Sequence, residues 1–496
     1  MNNNCNIMIR NILLVCISLC FLASCQKEIS DPYNVLFIAV DDLNDYVSLL
    51  KDYPGIRTPN LDKLASEAVT FSHAYCAGPV CNPSRASLLT GLAPHVTGIY
   101  TNRDHWIKSS PACDAMILPE AFKAAGYTTY WAGKIFHDLS APPRDRLEAM
   151  WDEMGTNVAG ELYDGSTNIV PYAPTTPLGY GIVEPAAQFP DVANVKLAQA
   201  WLEQDHEAPF FMAVGIIRPH SPFTAPKKYF DMYPLETLTM TPGYREDDLE
   251  DIPASGRENA KSHILSKLQE RGRWAEYLQA YLACVSFSDA SIGQLIDALN
   301  NSRYRDNTII VLWGDNGYHM GEKHHFGKQT LWEQSAHNLL MISVPGMERA
   351  GAACAAPVSL LDVYPTLQEV CGLPDVPQTF SGQSLTDLIR NPDGMRDRPV
   401  LTTCPYKCHS IRDQRWRYIQ YADGTEELYD HEADPHEWHN LASDAQYQDV
   451  IDELKRWLPR DNAQHVGVAD GWLKWKESQK KTKTTYNMFG NPTQSE

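Results

Sequence analysis

Residues Asn34 to Asp45 read "NVLFIAVDDLND". Seven residues, six of them apolar, end abruptly in paired carboxylates. That is the pattern of a strand buried on both faces, with polar chemistry at its C-terminal end. The chain repeats it at Asn307 to Asn316, "NTIIVLWGDN". Further apolar runs, "VTFSHAY" (69–75), "YTTYWAGK" (127–134) and "PFFMAVGI" (209–216), also read as strands. Between them lie helical patterns. In "TPNLDKLASEA" Thr58 is placed to cap, Pro59 fits the first turn, and Leu61, Leu64, Ala65 and Ala68 share a face. "LPEAFKAAG" closes on Gly126, "VKLAQAWLEQ" follows, and a long helix runs from Arg273 to Asn300. Strands alternating with helices predict an α/β fold: a large, mostly parallel sheet sandwiched by helices, with ligands beyond the carboxyl ends of the strands. The stretch from about Asp138 to Pro190 reads as loop-rich. From Pro399 the pattern changes. Alternating runs flank a turn at Asp423-Gly424, and "YQDVIDELKRWL" is an amphipathic helix. A small C-terminal α+β subdomain with an antiparallel sheet is expected over 399–496, after a catalytic domain over 26–398.

The 496 residues suit one large domain plus a smaller one, or two to three ordinary domains. A hydrophobic share of 43% with 12 Trp indicates a real core. A net charge of -20 argues against nucleic acid as a partner, and an anionic substrate would need a locally basic pocket. After Arg10 the run "NILLVCISLCFLAS" reads as a signal peptide over 1–25. It ends in "LASC" (Leu22 to Cys25), which resembles a bacterial lipobox. Cys25 would then be the lipidated mature N-terminus, tethered to a membrane without spanning it; an ordinary signal peptide is the alternative. No later stretch is read as a transmembrane helix. Eight cysteines follow Cys25, with no C-x-x-C pair, and whether Cys404 and Cys408 pair is left open.

Asp41 and Asp42 end one strand; Asp315 and Asn316 end another. Adjacent carboxylates repel unless a cation lies between them, and all-oxygen ligands select Ca²⁺ or Mg²⁺. Lys134 and His137 ("GKIFH"), His220 ("RPHSPF") and Lys328 ("HHFGK") fall just past strand ends on the same edge. Four such groups beside a metal suggest an oxyanion pocket, basic within an acidic surface.

Between these groups stands Cys81 to Gly91, "CNPSRASLLTG". It matches C-x-P-S-R followed by T-G, and the chain resembles the formylglycine-dependent sulfatases of the alkaline-phosphatase superfamily from Asn34 through the tail element "EELYDHEADPHEWHNL". One departure is Leu92, where many members carry arginine. The resemblance implies that Cys81 is oxidised to formylglycine (3-oxoalanine) by a sulfatase-maturating enzyme that reads Pro83 and Arg85. One hydroxyl of the hydrated aldehyde would attack sulfur and the other would expel sulfate. Asp41, Asp42, Asp315, Asn316 and residue 81 would hold the cation, Ca²⁺ rather than Mg²⁺. Arg85 and Lys134 would brace formylglycine, His137 would assist release, and His220 and Lys328 would grip sulfate, with His220 protonating the leaving oxygen.

The K-x-x-H spacing of "KIFH", the form of "RPHSPF" and "YPLETLTMTP" after it are most similar to the iduronate-2-sulfatase group. That implies an exo-acting 2-O-sulfatase on a terminal uronic acid of a sulfated glycan. Arg103, His105, Trp106, His319 and His324 are candidates for the sugar pocket. A lipid-anchored bacterial member suggests glycan foraging in the periplasm or at the outer membrane surface, with the lipid as the sole membrane contact. The alternatives are a phosphonate monoester or phosphodiester hydrolase of the same superfamily, and a non-catalytic glycan-binding lipoprotein.

Overall fold

A computed structural model describes residues 32–137, 142–155, 170–171, 179–186, 189–260 and 262–467. The segment read as a signal peptide, with Cys25, and much of the stretch expected to be loop-rich lie outside the described residues. Asn34 to Glu496 form one unit, so the tail belongs with the large sheet.

The elements that position the site are β1 (Asn34–Val40), α1 (Pro59–Ala65), β2 (Val69–Tyr75), α2 (Cys81–Thr90), α3 (Leu118–Ala124), β3 (Thr128–Gly133), β4 (Glu153–Met154), α4 (Pro190–Leu202), β5 (Phe210–Ile216), α5 (Trp274–Asn300), β6 (Thr308–Gly314), β7 (His337–Ser343) and β8 (Ala353–Cys354). The sheet order is β8-β2-β7-β6-β1-β5-β3-β4. Neighbours along it are parallel except at β7, which runs antiparallel to both β2 and β6.

Every residue of β1, β5 and β6 is buried, which is why these runs are continuously apolar rather than alternating. Alternate residues still serve opposite faces. Leu36, Ile38 and Val40 pack with Val195 of α4 and Leu278 and Leu295 of α5. Phe37 on the other face meets Phe211 and Trp313, each with ring centroids 5.5 Å away, and Phe211 stacks on Phe122 of α3 at 4.3 Å. Helices therefore cover both faces, as the alternation implied. By length and hydropathy alone α5 could cross a membrane, contrary to the sequence reading that no such stretch follows residue 25, but most of it is buried in this core.

Register makes the strand ends converge. Val40 pairs with Ile216 on one side and with Gly314 on the other, and Gly133 pairs with Gly215. The residues that follow each strand thus leave the sheet at one edge. Gly133 has φ +73, and a Cβ there would lie 2.0 Å from the Gly215 carbonyl oxygen. Two facing glycines let the chain turn at this point and aim Lys134 inward.

One local expectation changes. Thr58 sits at the N-cap of α1, but its side chain does not cap the helix. Asp289 of α5 does so instead, accepting from the Asn60 and Leu61 amides at 3.0 and 2.8 Å. Cys404 and Cys408 are both free thiols. The tail forms a four-stranded antiparallel sheet, β9 (Val400–Thr403), β10 (His409–Arg412), β11 (Trp416–Gln420) and β12 (Glu426–Asp430), followed by α6 (Gln448–Lys455). Gly424, at φ +85, completes the turn read at Asp423-Gly424.

Candidate active site

Cys81 is the first residue of α2, a helix whose ten residues are all buried. Its Sγ lies 3.4 Å from Asp41 Oδ1 and 3.9 Å from Asp42 Oδ1. Lys328 Nζ is 2.8 Å from that sulfur and Lys134 Nζ 3.8 Å. Lys134 also pairs with Asp41, and Lys328 with Asp42. One turn along α2, Arg85 donates from Nε to Asp315 Oδ2 at 2.8 Å and from Nη1 to the Lys134 carbonyl at 2.6 Å. Its guanidinium stands over the Trp313 ring at 5.6 Å. Ser84 donates to the Asp315 carbonyl oxygen. The helix carrying Cys81 is thereby tied to the ends of β1, β3 and β6.

The acids sort by surroundings. Burial opposes ionisation of Asp41, but Lys134, His220, Arg85 and Lys328 outweigh it and hold the carboxyl well below its usual range. Burial pushes Asp315 up to about 6, against the pull of Arg85. Burial, with Asp41 adding to it, raises the Cys81 thiol far above a normal cysteine. An unmodified thiol here stays protonated and is a poor nucleophile. His220 is lowered to about 4 and His137 well below its ordinary value, both chiefly by burial.

His220 Nδ1 lies 2.7 Å from the Ser221 carbonyl oxygen, which accepts its proton, so Nε2 is the free nitrogen, 3.9 Å from Asp42 Oδ2. Asp191, at the start of α4, accepts from the Ile217 and Arg218 amides at 2.7 and 3.0 Å and so fixes this loop.

The donor set suits a hard divalent cation. Carboxylate oxygens of Asp41, Asp42 and Asp315 lie within 4.8 Å of one another. Asn316 donates from Nδ2 to Asp42 Oδ1 at 2.9 Å, while its Oδ1 is buried with no hydrogen-bond donor. A buried acceptor beside three carboxylates is what an oxygen-ligated ion would satisfy.

The candidate sugar contacts fall in three places. Arg103 is exposed on the loop that follows α2, and the neighbouring Asn102 accepts from the Asn82 amide at 2.9 Å. His105, on the same loop, accepts from the Ile107 amide. Trp106 is buried and donates to Asn82 Oδ1 at 3.0 Å, so it buttresses the residue next to Cys81 rather than facing a sugar. His319 is fully buried, with one ring nitrogen on Thr330 Oγ1 and the other on the Glu322 carbonyl, which is a structural role. His324 lies on the Arg245 carbonyl and lines a separate cavity with Arg257, Ser262 and Gln269, away from the groups around Cys81.

Sequence reasoning missed Ser84, Asp191 and Trp313. Asp191 reads as an ordinary first-turn acid, and Trp313 as one more apolar residue of a buried strand.

A parallel α/β sheet whose strand ends gather three acids, two lysines, an arginine and a histidine around one buried residue defines a hydrolase of oxyanion esters. Residues 33–373 match the Sulfatase family, and residues 321–464 match the family described as N-sulphoglucosamine sulphohydrolase, C-terminal. A sulfatase of Formosa agariphila is 39% identical, over 88% of this chain and 88% of its own length. The iduronate 2-sulfatase of Mus musculus is 28% identical, over 86% of this chain and 94% of its own. The solved phosphonate monoester hydrolase of Agrobacterium radiobacter superposes with a TM-score of 0.71 at 21% identity, covering 94% of this chain and all of that one, a likeness of fold. The chain belongs to the sulfatase family and is a sulfuric ester hydrolase.

Proposed function

We propose that the chain is an exo-acting sulfatase that removes a 2-O-sulfate from a terminal uronic acid of a sulfated glycan. Residue 81 would act as formylglycine and the cation would be Ca²⁺. The observation that carries the catalytic reading is the packing of Asp41, Asp42, Asp315 and the donorless Asn316 Oδ1 around Cys81, itself flanked by Lys134 and Lys328. The substrate reading rests on the "KIFH" and "RPHSPF" segments and on the likeness to a mammalian iduronate 2-sulfatase.

The bound ion would polarise the sulfate ester, and the hydrated aldehyde would supply the attacking oxygen. The chain's own groups do the rest. Lys134 and Lys328 stay charged because Asp41 and Asp42 outweigh the cost of their burial, so they offset the negative charge of a bound sulfate. Arg85 fixes Asp315 and the turn at Lys134. A sulfate oxyanion beside His220 favours its imidazolium and so places a transferable proton on Nε2, toward the leaving sugar oxygen. Cys81, Asp41 and Asp315 are completely buried, which suits a chain end better than the middle of a polymer. Export and lipidation at Cys25 complete the proposal and would place the enzyme where extracellular glycans arrive; "LASC" supports this.

The direct test digests a 2-sulfated uronate disaccharide and its 6-sulfated hexosamine isomer side by side. Sulfate is expected from the first. Release from the second alone would overturn the uronate reading. Arg103 is an exposed cation next to Asn102, which accepts from the Asn82 amide beside Cys81, so Arg103→Ala is expected to raise KM for the uronate about tenfold, a loss of ~1.4 kcal/mol, and to leave KM for an uncharged aryl sulfate unchanged. Equal effects on both would remove Arg103 from substrate recognition. Asp315→Asn is expected to lower bound calcium and activity together, read by elemental analysis and turnover. Full activity after removal of the metal by chelation would contradict the cation's role.

A further inference from the structure

Three residues past Asp42 the same segment supplies Asp45, which is only 3% exposed. Asp45 lines a second cavity of ≈ 710 Å³, together with Asp52 and His337. A carboxylate oxygen of each acid and a ring nitrogen of His337 lie within 4.8 Å of one another. We propose that Asp45, Asp52 and His337 form a second metal site, distinct from the one at Cys81, for a divalent transition ion of the zinc class.

Three observations carry this. First, Asp45 Oδ1 is buried and has no hydrogen-bond donor. A carboxylate oxygen in that state is costly unless a cation answers it. Second, His337 is oriented as a ligand. Its Nε2 lies 2.8 Å from the Ser72 carbonyl oxygen, which takes that ring proton and leaves Nδ1, facing Asp45, as the nitrogen a metal would claim by displacing its proton. Nδ1 is 3.5 Å from Asp45 Oδ2, long for a hydrogen bond between these groups. Two ligands at ordinary zinc distances and a tetrahedral angle stand about 3.4 Å apart. Third, no fixed cation answers these acids: His337 alone does so, where burial opposes its charge but Asp45 and Glu333 outweigh it, and a metal would displace that proton. The neighbouring Glu333 is answered by Arg417 and Arg412, but neither Asp45 nor Asp52 pairs with any Lys or Arg among the described residues. One imidazole and two carboxylates, with water completing the shell, suit zinc and disfavour calcium, which prefers oxygen throughout.

The position gives the ion a purpose. Asp45 follows β1 and His337 opens β7, two strands whose ends flank the Asp315–Asn316 end of β6. An ion there would clamp these ends together behind the catalytic groups.

The test uses the full enzyme, stripped by chelation, saturated with Ca²⁺, then exposed to Zn²⁺ alone and desalted. About one zinc per chain is expected in the unaltered protein and in Asp315→Asn, whose change lies in the other site. Zinc is expected to be lost in Asp45→Asn and in Asp52→Asn; the latter sits on an exposed loop, so its fold is not at risk. Zinc should also raise Tm in the unaltered protein and not in Asp52→Asn. Absence of bound zinc in the unaltered protein would leave His337 as a simple ion-pair partner of Asp45 and overturn the proposal. Undiminished zinc in both Asp variants would overturn it equally.

Discussion

Replacing Cys81 by alanine is expected to lower sulfate release by at least ~10⁴-fold, as removal of other covalent nucleophiles does. The cause is chemical rather than structural. Under the proposed function Cys81 would be the residue converted to the aldehyde nucleophile, while the acids around it would hold the cation and the lysines and arginine would hold sulfate and orient that position. The fold should survive, because the lost atom is a single sulfur on a helix held by Ser84, Arg85 and Asn82. A melting midpoint close to that of the parent protein, with turnover gone, is the expected pair of results. Residual activity above about a tenth of the parent's would sink the assignment of residue 81 as nucleophile.

Arg417→Met is expected to produce the largest loss of stability, about 3–5 kcal/mol, the usual cost of breaking a buried charge pair from one side. Arg417 is fully buried in β11. It pairs with Glu333 and, at 2.6 Å, with Glu437. Its Nη1 donates to the Leu331 carbonyl at 3.0 Å and to Ser410 Oγ at 2.7 Å. Methionine keeps much of the volume but strands two buried carboxylates, with His431 and Arg412 left to answer them. A fall in Tm of about 3–5 °C follows from that energy in a unit of this size. Because Leu331 and Glu333 directly follow the loop that carries Lys328, activity should fall with stability. A variant within about 1 kcal/mol of the parent would show that the tail docks without this network.

Much of this was legible beforehand, for a physical reason. A strand buried on both faces must be apolar throughout, so "NVLFIAVDD" and "TIIVLWGDN" announce both their own burial and the polar edge where they stop. Because parallel strands end together, the acids and the basic groups after β1, β3, β5 and β6 had to meet. The antiparallel strand of the large sheet, β7, was not read, since "HNLLMIS" carries no alternation and no turn signal that separates it from a short helix. The side-chain guesses for the sugar pocket fared unevenly. Whether a histidine faces a ligand or the interior depends on partners distant in sequence, such as Thr330 and Glu322 for His319, and no local pattern reports them. The cap of α1 shows the same limit: the acceptor arrives from Asp289, over two hundred residues away, while Thr58 stood in the expected place. The tie between the tail and the catalytic sheet, through Arg417, Glu333 and Glu437, was equally invisible, because each residue alone reads as a solvated charge.

The most direct measurement is the intact mass of the peptide that carries residue 81, taken from enzyme that turns over a sulfate ester and was produced alongside a sulfatase-maturating enzyme. A peptide about 18 Da lighter than the cysteine form, the mass change of thiol to aldehyde, is expected. An unmodified cysteine in fully active enzyme would contradict the account at its centre.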